Sequence, residues 1–193
     1  MRRHRRTIAV AAVLVAAVLL ARGVGVPTER EGSAPSTGPV AAGPAVVADV
    51  LDGDTVIVRM AGYEGPVRVV GVDTPEIVHP GKPAGCFGEE AKAATTAWLL
   101  GRTVALAPAL EQRDRYDRLL ARLVPADGPL AGRDLARALA LSGFARELPI
   151  APNTQDAPAI AAAVRSAQRH GRGLWAACGF AAAFPGKSPA AGG

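Results

Sequence analysis

Short runs of alternating hydrophobic and polar residues follow one another from about residue 45 onward. Three valine-rich runs come first, separated by an Asp-Gly-Asp turn and by a segment that contains glycine and proline; they are residues 45–50, 55–60 and 67–72. Valine-rich runs of this length between turn residues are typical of β-strands. The pattern therefore predicts a meander of three strands.

The second half of the domain adds helical spacing to this pattern. Residues 87–100 carry Glu89 and Glu90 in a first turn, present alanine and tryptophan on one side and end at Gly101, which predicts an amphipathic helix. Two further strands and two further helices are predicted, in the order strands 102–106 and 118–124, then helices 135–142 and 158–169. The order β-β-β-α-β-β-α-α predicts an α+β protein, a five-stranded β-barrel with three packed α-helices.

The start of the chain has the composition of an export signal. Residues 1–25 join a basic beginning to the uninterrupted apolar run 8–21, which is shorter than the ~20 residues that a membrane-spanning helix needs. We expect a signal peptide that is cleaved near the small residues Gly23 and Gly25, or, as the alternative, an uncleaved N-terminal membrane anchor. In both cases the rest of the protein is expected outside the cytoplasm, either secreted or tethered at the cell surface.

Two segments without apolar periodicity flank the predicted domain. Residues 26–44 mix proline, glycine, serine and alanine, as a disordered linker does. Residues 179–193 are similar and are predicted to form a flexible C-terminal tail, which leaves 45–178 as one domain.

The net charge of +5 suggests a polyanionic partner, but its distribution weakens that inference. Five of the 22 basic residues precede Gly23, and without them the chain has 17 basic and 17 acidic residues. The body of the protein is formally neutral, so nucleic-acid binding would have to depend on local clusters of charge.

The chain has two cysteines, Cys86 and Cys178, and three scattered histidines. An even pair in an exported chain favours a disulfide over a metal site or a catalytic thiol. Without clustered histidines the sequence offers no zinc site.

Several charged residues have a plain structural interpretation when each is taken alone. Asp52-Gly53-Asp54 is typical of a tight turn in which glycine adopts positive φ. Asp73-Thr74-Pro75-Glu76 could begin a helix, but proline and glycine follow within a turn, which favours an irregular loop. Arg68 and Arg118, each in a predicted strand, could simply face solvent.

Together the same residues supply what phosphodiester cleavage requires. Carboxylates from two strand ends are hard oxygen ligands for a cation of the Ca²⁺ type, and a third carboxylate nearby can activate water. Two guanidinium groups can neutralise the charge that develops on phosphorus.

The motifs that contain these residues resemble those of the staphylococcal nuclease (thermonuclease) family in order and in spacing. They are "LDGDTV" at 51–56, "VRVVGVDTPE" at 67–76, "HP" at 79–80, "GEEA" at 88–91, "DRYDR" at 114–118 and "GLW" at 173–175. The resemblance covers residues 46–175. It implies an OB-fold nuclease that cleaves DNA and RNA with Ca²⁺ and leaves 3′-phosphates.

The resemblance also implies a role for each matching residue. The implied metal ligands are Asp54, Asp73 and the backbone carbonyl of Thr74, with Asp52 as a supporting carboxylate behind them. Arg68 and Arg118 match the phosphate-binding arginines, Glu76 the carboxylate that acts on water, and Tyr116 a substrate-contacting tyrosine. The resemblance places the last helix beside the first, where Cys86 and Cys178 can form the predicted bond.

The chain departs from the family in two places. Residues 144–153 lack the two tyrosines that contact nucleotide in the best-known member, and Asp117 replaces a glycine before Arg118. The main alternative is a non-catalytic OB-fold module that binds nucleic acid, but such modules depend on exposed aromatics and this chain is only 4% aromatic. We expect a monomer that acts on DNA and RNA without an obligate protein partner.

Overall fold

The computed structural model describes residues 38–77 and 84–187. The strands in these residues are β1 (Gly43–Asp52), β2 (Thr55–Met60), β3 (Tyr63–Val69), β4 (Gly71–Asp73), β5 (Thr103–Arg113), β6 (Leu119–Pro125) and β7 (Arg146–Leu148). The helices are α1 (Gly88–Leu99), α2 (Leu135–Ser142), α3 (Ala157–Arg169), α4 (Leu174–Ala177) and α5 (Phe180–Ala183). The predicted signal peptide, most of the predicted linker and the last six residues of the predicted tail lie outside the described residues.

Five strands form a closed barrel in the order β1-β2-β3-β6-β5. The neighbours are antiparallel except β3 and β6, which run parallel with Val67 opposite Leu119. Closure leaves no unpaired sheet edge in the barrel, which is how small antiparallel sheets avoid edge-to-edge association. The predicted α+β architecture with a five-stranded barrel is confirmed.

The alternation in the sequence corresponds to side chains that point alternately into the barrel and out of it. Side chains at every second position of the strands are fully buried, among them Val56, Val58, Val67, Leu119 and Leu123. Helices α2 and α3 pack against each other and extend the same core through Leu135, Leu139 and Ile160. Burying each such aliphatic side chain stabilises the fold by about 1.5–3 kcal/mol.

Two strand predictions differ from the structure. The predicted strand 67–72 is divided into β3 and β4 because Gly71 adopts φ +86°, which turns the chain out of the barrel. The predicted strand 102–106 continues to Arg113, with an irregular register against β6 after Pro108. β4 then pairs with β7 in a separate two-stranded sheet, and the sequence pattern did not predict β7.

The C-terminal prediction also needs correction. Residues 179–187, expected to belong to a flexible tail, contain helix α5, and Ala183 and Phe184 are almost completely buried. They form a small apolar cluster with Leu174. Cys178, at the start of this segment, is joined to Cys86 by the predicted disulfide.

Among the described residues, no helix has both the length and the apolar character needed to cross a membrane.

Candidate active site

A cavity of about 710 Å³ lies where the turn between β1 and β2, the strands β3 and β4, and the segment before β6 meet. Its walls contain seven of the eight residues predicted for the site, namely Asp52, Asp54, Arg68, Asp73, Glu76, Tyr116 and Arg118. Thr74, the eighth, is buried beside it and bonded to Asp54. The structure therefore brings the predicted residues together, although they come from three separated parts of the sequence.

The turn between β1 and β2 is fixed by its surroundings. The Asp52 carboxylate accepts a hydrogen bond from the Asp54 amide at 3.0 Å, and the Thr95 hydroxyl of α1 donates to the Gly53 carbonyl at 2.6 Å. Gly53 does not adopt the predicted positive φ. A Cβ there would lie 2.8 Å from Thr74 and from Ala91, so close packing is the reason for glycine.

Asp54 is buried at the end of this turn with only 4% of its surface exposed. One carboxylate oxygen accepts the Thr55 hydroxyl at 3.1 Å, and the other accepts the Thr74 amide at 2.7 Å and lies 3.1 Å from Arg68 Nη2. Burial raises the pKa of Asp54 from 3.8 to about 7, and Arg68 opposes this rise only in part. The ionised carboxylate is thus under-compensated, and a further cation beside it would favour its charged form.

Asp73 is the second buried carboxylate, and three cationic side chains surround it. Arg68 Nη2 lies 3.4 Å from Oδ1, Arg146 Nε donates to Oδ2 at 2.8 Å, and Lys187 Nζ contacts both oxygens at 3.1 and 2.9 Å. The β4–β7 register places Arg146 directly opposite Asp73. The Asp73 carboxylate at the end of β4 is thus surrounded by positive charge.

Arg68 links the two carboxylates. Its side chain is 11% exposed, its Nη1 donates to the Val69 carbonyl at 2.7 Å, and its Nη2 approaches both Asp54 and Asp73. The interpretation of Arg68 as a solvent-facing strand residue is therefore wrong. A guanidinium that is held at two points has a fixed direction, which suits recognition of a planar or tetrahedral anion.

Arg118 also lines the cavity and lies immediately before β6. Its Nε and Nη2 contact one oxygen of Asp114 at 2.8 and 2.7 Å. Burial raises the pKa of Asp114, but hydrogen bonds from Arg118 and from the Tyr116 amide outweigh this effect and leave that pKa below its ordinary value. The Arg118 guanidinium also lies 5.4 Å from the exposed Tyr116 ring, and Arg115 lies 4.7 Å from the same ring.

Glu76 is more accessible to solvent than Asp54 and Asp73, the two carboxylates predicted to bind the metal. Its side chain is 45% exposed, lines the cavity and lies 3.6 Å from Lys187 Nζ. Residues 74–76 form neither helix nor strand, which agrees with the predicted loop and not with a helix start.

Comparison with known proteins places this arrangement in a family. The family model for staphylococcal nuclease homologues matches residues 66–177. The chain is 35% identical over 127 residues to a thermonuclease of Staphylococcus hyicus, which covers 65% of this chain and 72% of that protein. It is 34% identical over 130 residues to a thermonuclease of Staphylococcus intermedius, with 67% and 74% covered.

The chain belongs to the staphylococcal nuclease family. The similarity extends to eukaryotic proteins, since a probable endonuclease LCL3 of Schizophyllum commune is 39% identical over 80 residues, 37% of this chain and 27% of that protein. The predicted family is confirmed, and with it the prediction that the protein is a phosphodiesterase of the nuclease type.

The buried carboxylates of this nuclease are oxygen donors that suit a divalent metal ion. Among the residues that the structure describes, no group of three or more acidic, histidine or cysteine side chains is gathered into a metal cluster. Asp54 and Asp73 nevertheless converge on the same atom, Arg68 Nη2, and because burial raises the pKa of Asp54, a cation beside it would favour its charged form. Two carboxylates with carbonyl oxygens and water as further ligands suit Ca²⁺, which tolerates irregular oxygen coordination.

Three residues of the nuclease site were not found from the sequence. Arg146 belongs to a three-residue strand without apolar alternation, and Lys187 lies in a segment of low-complexity composition. Asp114 could have been found, because it is the first residue of the "DRYDR" motif and stands at i–4 to Arg118, a spacing that suggests an ion pair.

Proposed function

We propose that this protein is an exported, Ca²⁺-dependent nuclease that hydrolyses phosphodiester bonds in DNA and RNA and leaves 3′-phosphates. The observation that supports it most is the convergence of two buried carboxylates, an accessible third carboxylate and two guanidinium groups on one cavity. Membership of the nuclease family supports the same reaction.

In this proposal the carboxylates of Asp54 and Asp73 and the backbone carbonyl of Thr74 would hold the calcium ion. Asp52 would act indirectly, since its carboxylate fixes the Asp54 backbone at the turn. When bound, the ion would supply positive charge beside the scissile phosphate. The buried Asp54 would remain ionised under these conditions because a cation lowers the pKa that burial has raised.

Arg68 and Arg118 would stabilise the negative charge that grows on the phosphoryl oxygens. Each guanidinium is oriented by a carboxylate, Arg68 by Asp54 and Asp73, and Arg118 by Asp114. Donors that are oriented before the reaction need little reorganisation in the transition state, which is where their effect on rate arises. Tyr116, exposed beside Arg118, would contact the substrate.

Glu76 would take the proton from the attacking water. It is more accessible to water than Asp54 and Asp73, and it lines the cavity with them. A carboxylate in this position acts as a general base when it reaches the water that faces phosphorus.

We further infer that the chain works outside the cytoplasm as a monomer. The bond between Cys86 and Cys178 supports an oxidising location, because thiols stay reduced in the cytosol. All residues assigned to the reaction come from one chain. The domain would start with β1 and extend past Cys178 to include helix α5 and the buried Phe184, and the signal or anchor and the linker that we predict would precede it.

A cleavage assay on the purified protein tests this function. DNA and RNA are incubated with the protein in Ca²⁺, in Mg²⁺ and in a calcium chelator, and the product ends are analysed. We expect cleavage of both in Ca²⁺, little in Mg²⁺, because its strict octahedral coordination suits an irregular site poorly, and none with chelator.

A matched pair of arginine variants provides the control. Arg68→Ala should abolish cleavage, whereas Arg59→Ala, which removes an exposed arginine paired with Glu64 on the barrel surface, should leave it unchanged. Binding of nucleic acid in Ca²⁺ without any cleavage would contradict the proposal and favour the binding-module alternative.

A further inference from the structure

The segment 178–187, called the C-terminal strap below, runs from the disulfide at Cys178 to a contact with Asp73. The disulfide from Cys178 to Cys86 anchors its start, and the Cys86 amide donates to the Ala182 carbonyl at 2.9 Å. Ala183 and Phe184 are buried, and the Ala183 carbonyl packs so closely on Gly85 that a Cβ there would not fit. The strap is thus held covalently, by its backbone and by apolar burial.

The C-terminal strap brings a lysine into contact with the candidate metal ligand Asp73. Lys187 Nζ contacts both oxygens of Asp73 at 3.1 and 2.9 Å and lies 3.6 Å from Glu76. The Phe180 and Phe184 rings of the strap lie 5.7 and 5.2 Å from the guanidinium of Arg146, which donates to the same Asp73 carboxylate.

A lysine in this position and a divalent cation need the same oxygens. The ammonium group is a compact point charge with three donors, and it contacts both carboxylate oxygens of Asp73, the proposed ligand of the cation. Arg146 contacts one oxygen through Nε and approaches from the neighbouring strand, so it can remain while the ammonium leaves. Because the strap is tethered, Lys187 competes at a high effective concentration.

We propose that Lys187 is an internal competitor for the divalent cation, and that the C-terminal strap thereby sets the calcium concentration at which the site fills. This inference rests on the proposed calcium-dependent function. Calcium binding then requires that Lys187 withdraw from Asp73. If the ammonium covers Asp73 in nine molecules out of ten, the apparent affinity for calcium is reduced roughly tenfold.

Calcium titration by isothermal calorimetry tests the proposal on the full chain in low salt. Lys187→Met removes the charge and retains an unbranched side chain of similar length, and Lys92→Met on α1 is the control for loss of a lysine elsewhere. We expect the Kd for calcium to fall roughly tenfold in Lys187→Met and to stay unchanged in Lys92→Met.

Thermal unfolding supplies a readout that is independent of activity. In chelator, Lys187→Met should unfold at a lower temperature than wild type, because Asp73 loses one ionic partner. In saturating calcium the difference should shrink, because the cation takes that place in both proteins.

The outcomes separate the two hypotheses. If wild type and Lys187→Met bind calcium with the same Kd, Lys187 does not compete and this inference is wrong, while the proposed function stands. If neither protein binds calcium, the calcium-dependent function is wrong and the inference falls with it.

Discussion

Replacing Asp54 by asparagine should stabilise the cation-free protein above neutral pH. The ionised carboxylate is unfavourable in its buried position, which is why burial raises its pKa from 3.8 to about 7 despite the attraction of Arg68. Asparagine has nearly the same shape and carries no charge, so it removes the unfavourable ionisation and keeps most of the packing.

The magnitude follows from the linkage between protonation and folding. Between about pH 4 and pH 7 the folded protein keeps a proton on Asp54 that the unfolded chain has already released, so this group's contribution to stability falls as the pH rises through that window. A rise of about three pKa units corresponds to about 4 kcal/mol. Asparagine must turn its amide nitrogen toward a donor, Thr55 or Thr74, which costs about 1–2 kcal/mol. We therefore expect a net gain of about 2–3 kcal/mol at pH 8.

Urea unfolding in chelator at pH 4 and pH 8 measures this effect. Asp54→Asn should be more stable than wild type at pH 8 and should lose that advantage at pH 4. Asp127→Asn is the control, because its carboxylate is exposed and pairs with Arg102 on the surface. Saturating calcium should reverse the order at pH 8, since the cation favours the ionised carboxylate that the variant lacks. A stability difference between Asp54→Asn and wild type that is the same at both pH values would refute the reasoning.

Three further predictions concern the reaction and the disulfide. Arg68→Lys should be nearly as harmful as Arg68→Ala, with a rate loss of ~10²-fold or more, because an ammonium cannot replace an oriented guanidinium; a folded lysine variant with most of its activity would contradict this. Glu76→Gln should slow single-turnover cleavage and leave the calcium Kd almost unchanged, whereas a calcium Kd that rises as the rate falls would make Glu76 a metal ligand. Replacing Cys86 and Cys178 by serine should lower the melting temperature, since the bond closes a loop with a sequence separation of 92 and is worth about 4–5 kcal/mol. Cleavage at low temperature should survive this change, and its loss would show that the bond supports the reaction directly.

The sequence predicted those parts of the fold that depend on local patterns. Alternating valines identified the barrel strands because each strand has one face in the core, and the carboxylates at the strand ends could be located once the strands were known. The assignment of Arg118 to the same site as Asp54 and Asp73 needed more than periodicity, because β6 pairs with β3 only through the barrel topology. Family resemblance supplied that long-range information.

The parts that the sequence did not predict depend on tertiary contacts of short or irregular segments. The strand that carries Arg146 is three residues long, too short for a periodic signal, and it forms because β4 offers a partner. Phe184 lies in a stretch rich in alanine, proline and glycine, and that stretch is ordered by tertiary contacts, among them the buried cluster around Phe184 and the disulfide at Cys178. Gly53 was correctly recognised as a turn residue. The reason that this position needs glycine is its close contact with Thr74 and Ala91, which are distant in sequence.

The parallel pairing of β3 with β6 determines at which stage of folding the candidate site is complete. Arg68 belongs to the β2–β3 hairpin, whose paired residues are close in sequence. Arg118 precedes β6, which pairs directly with β3 although the chain between these two strands includes α1 and β5. Contacts between residues so distant in sequence form late, because the chain loses loop entropy before it gains the pairing. The two guanidinium groups should therefore meet in one of the last steps of folding. Until that step, a partly folded chain would have Arg68 in its hairpin but no Arg118 beside it, and the candidate site would be incomplete.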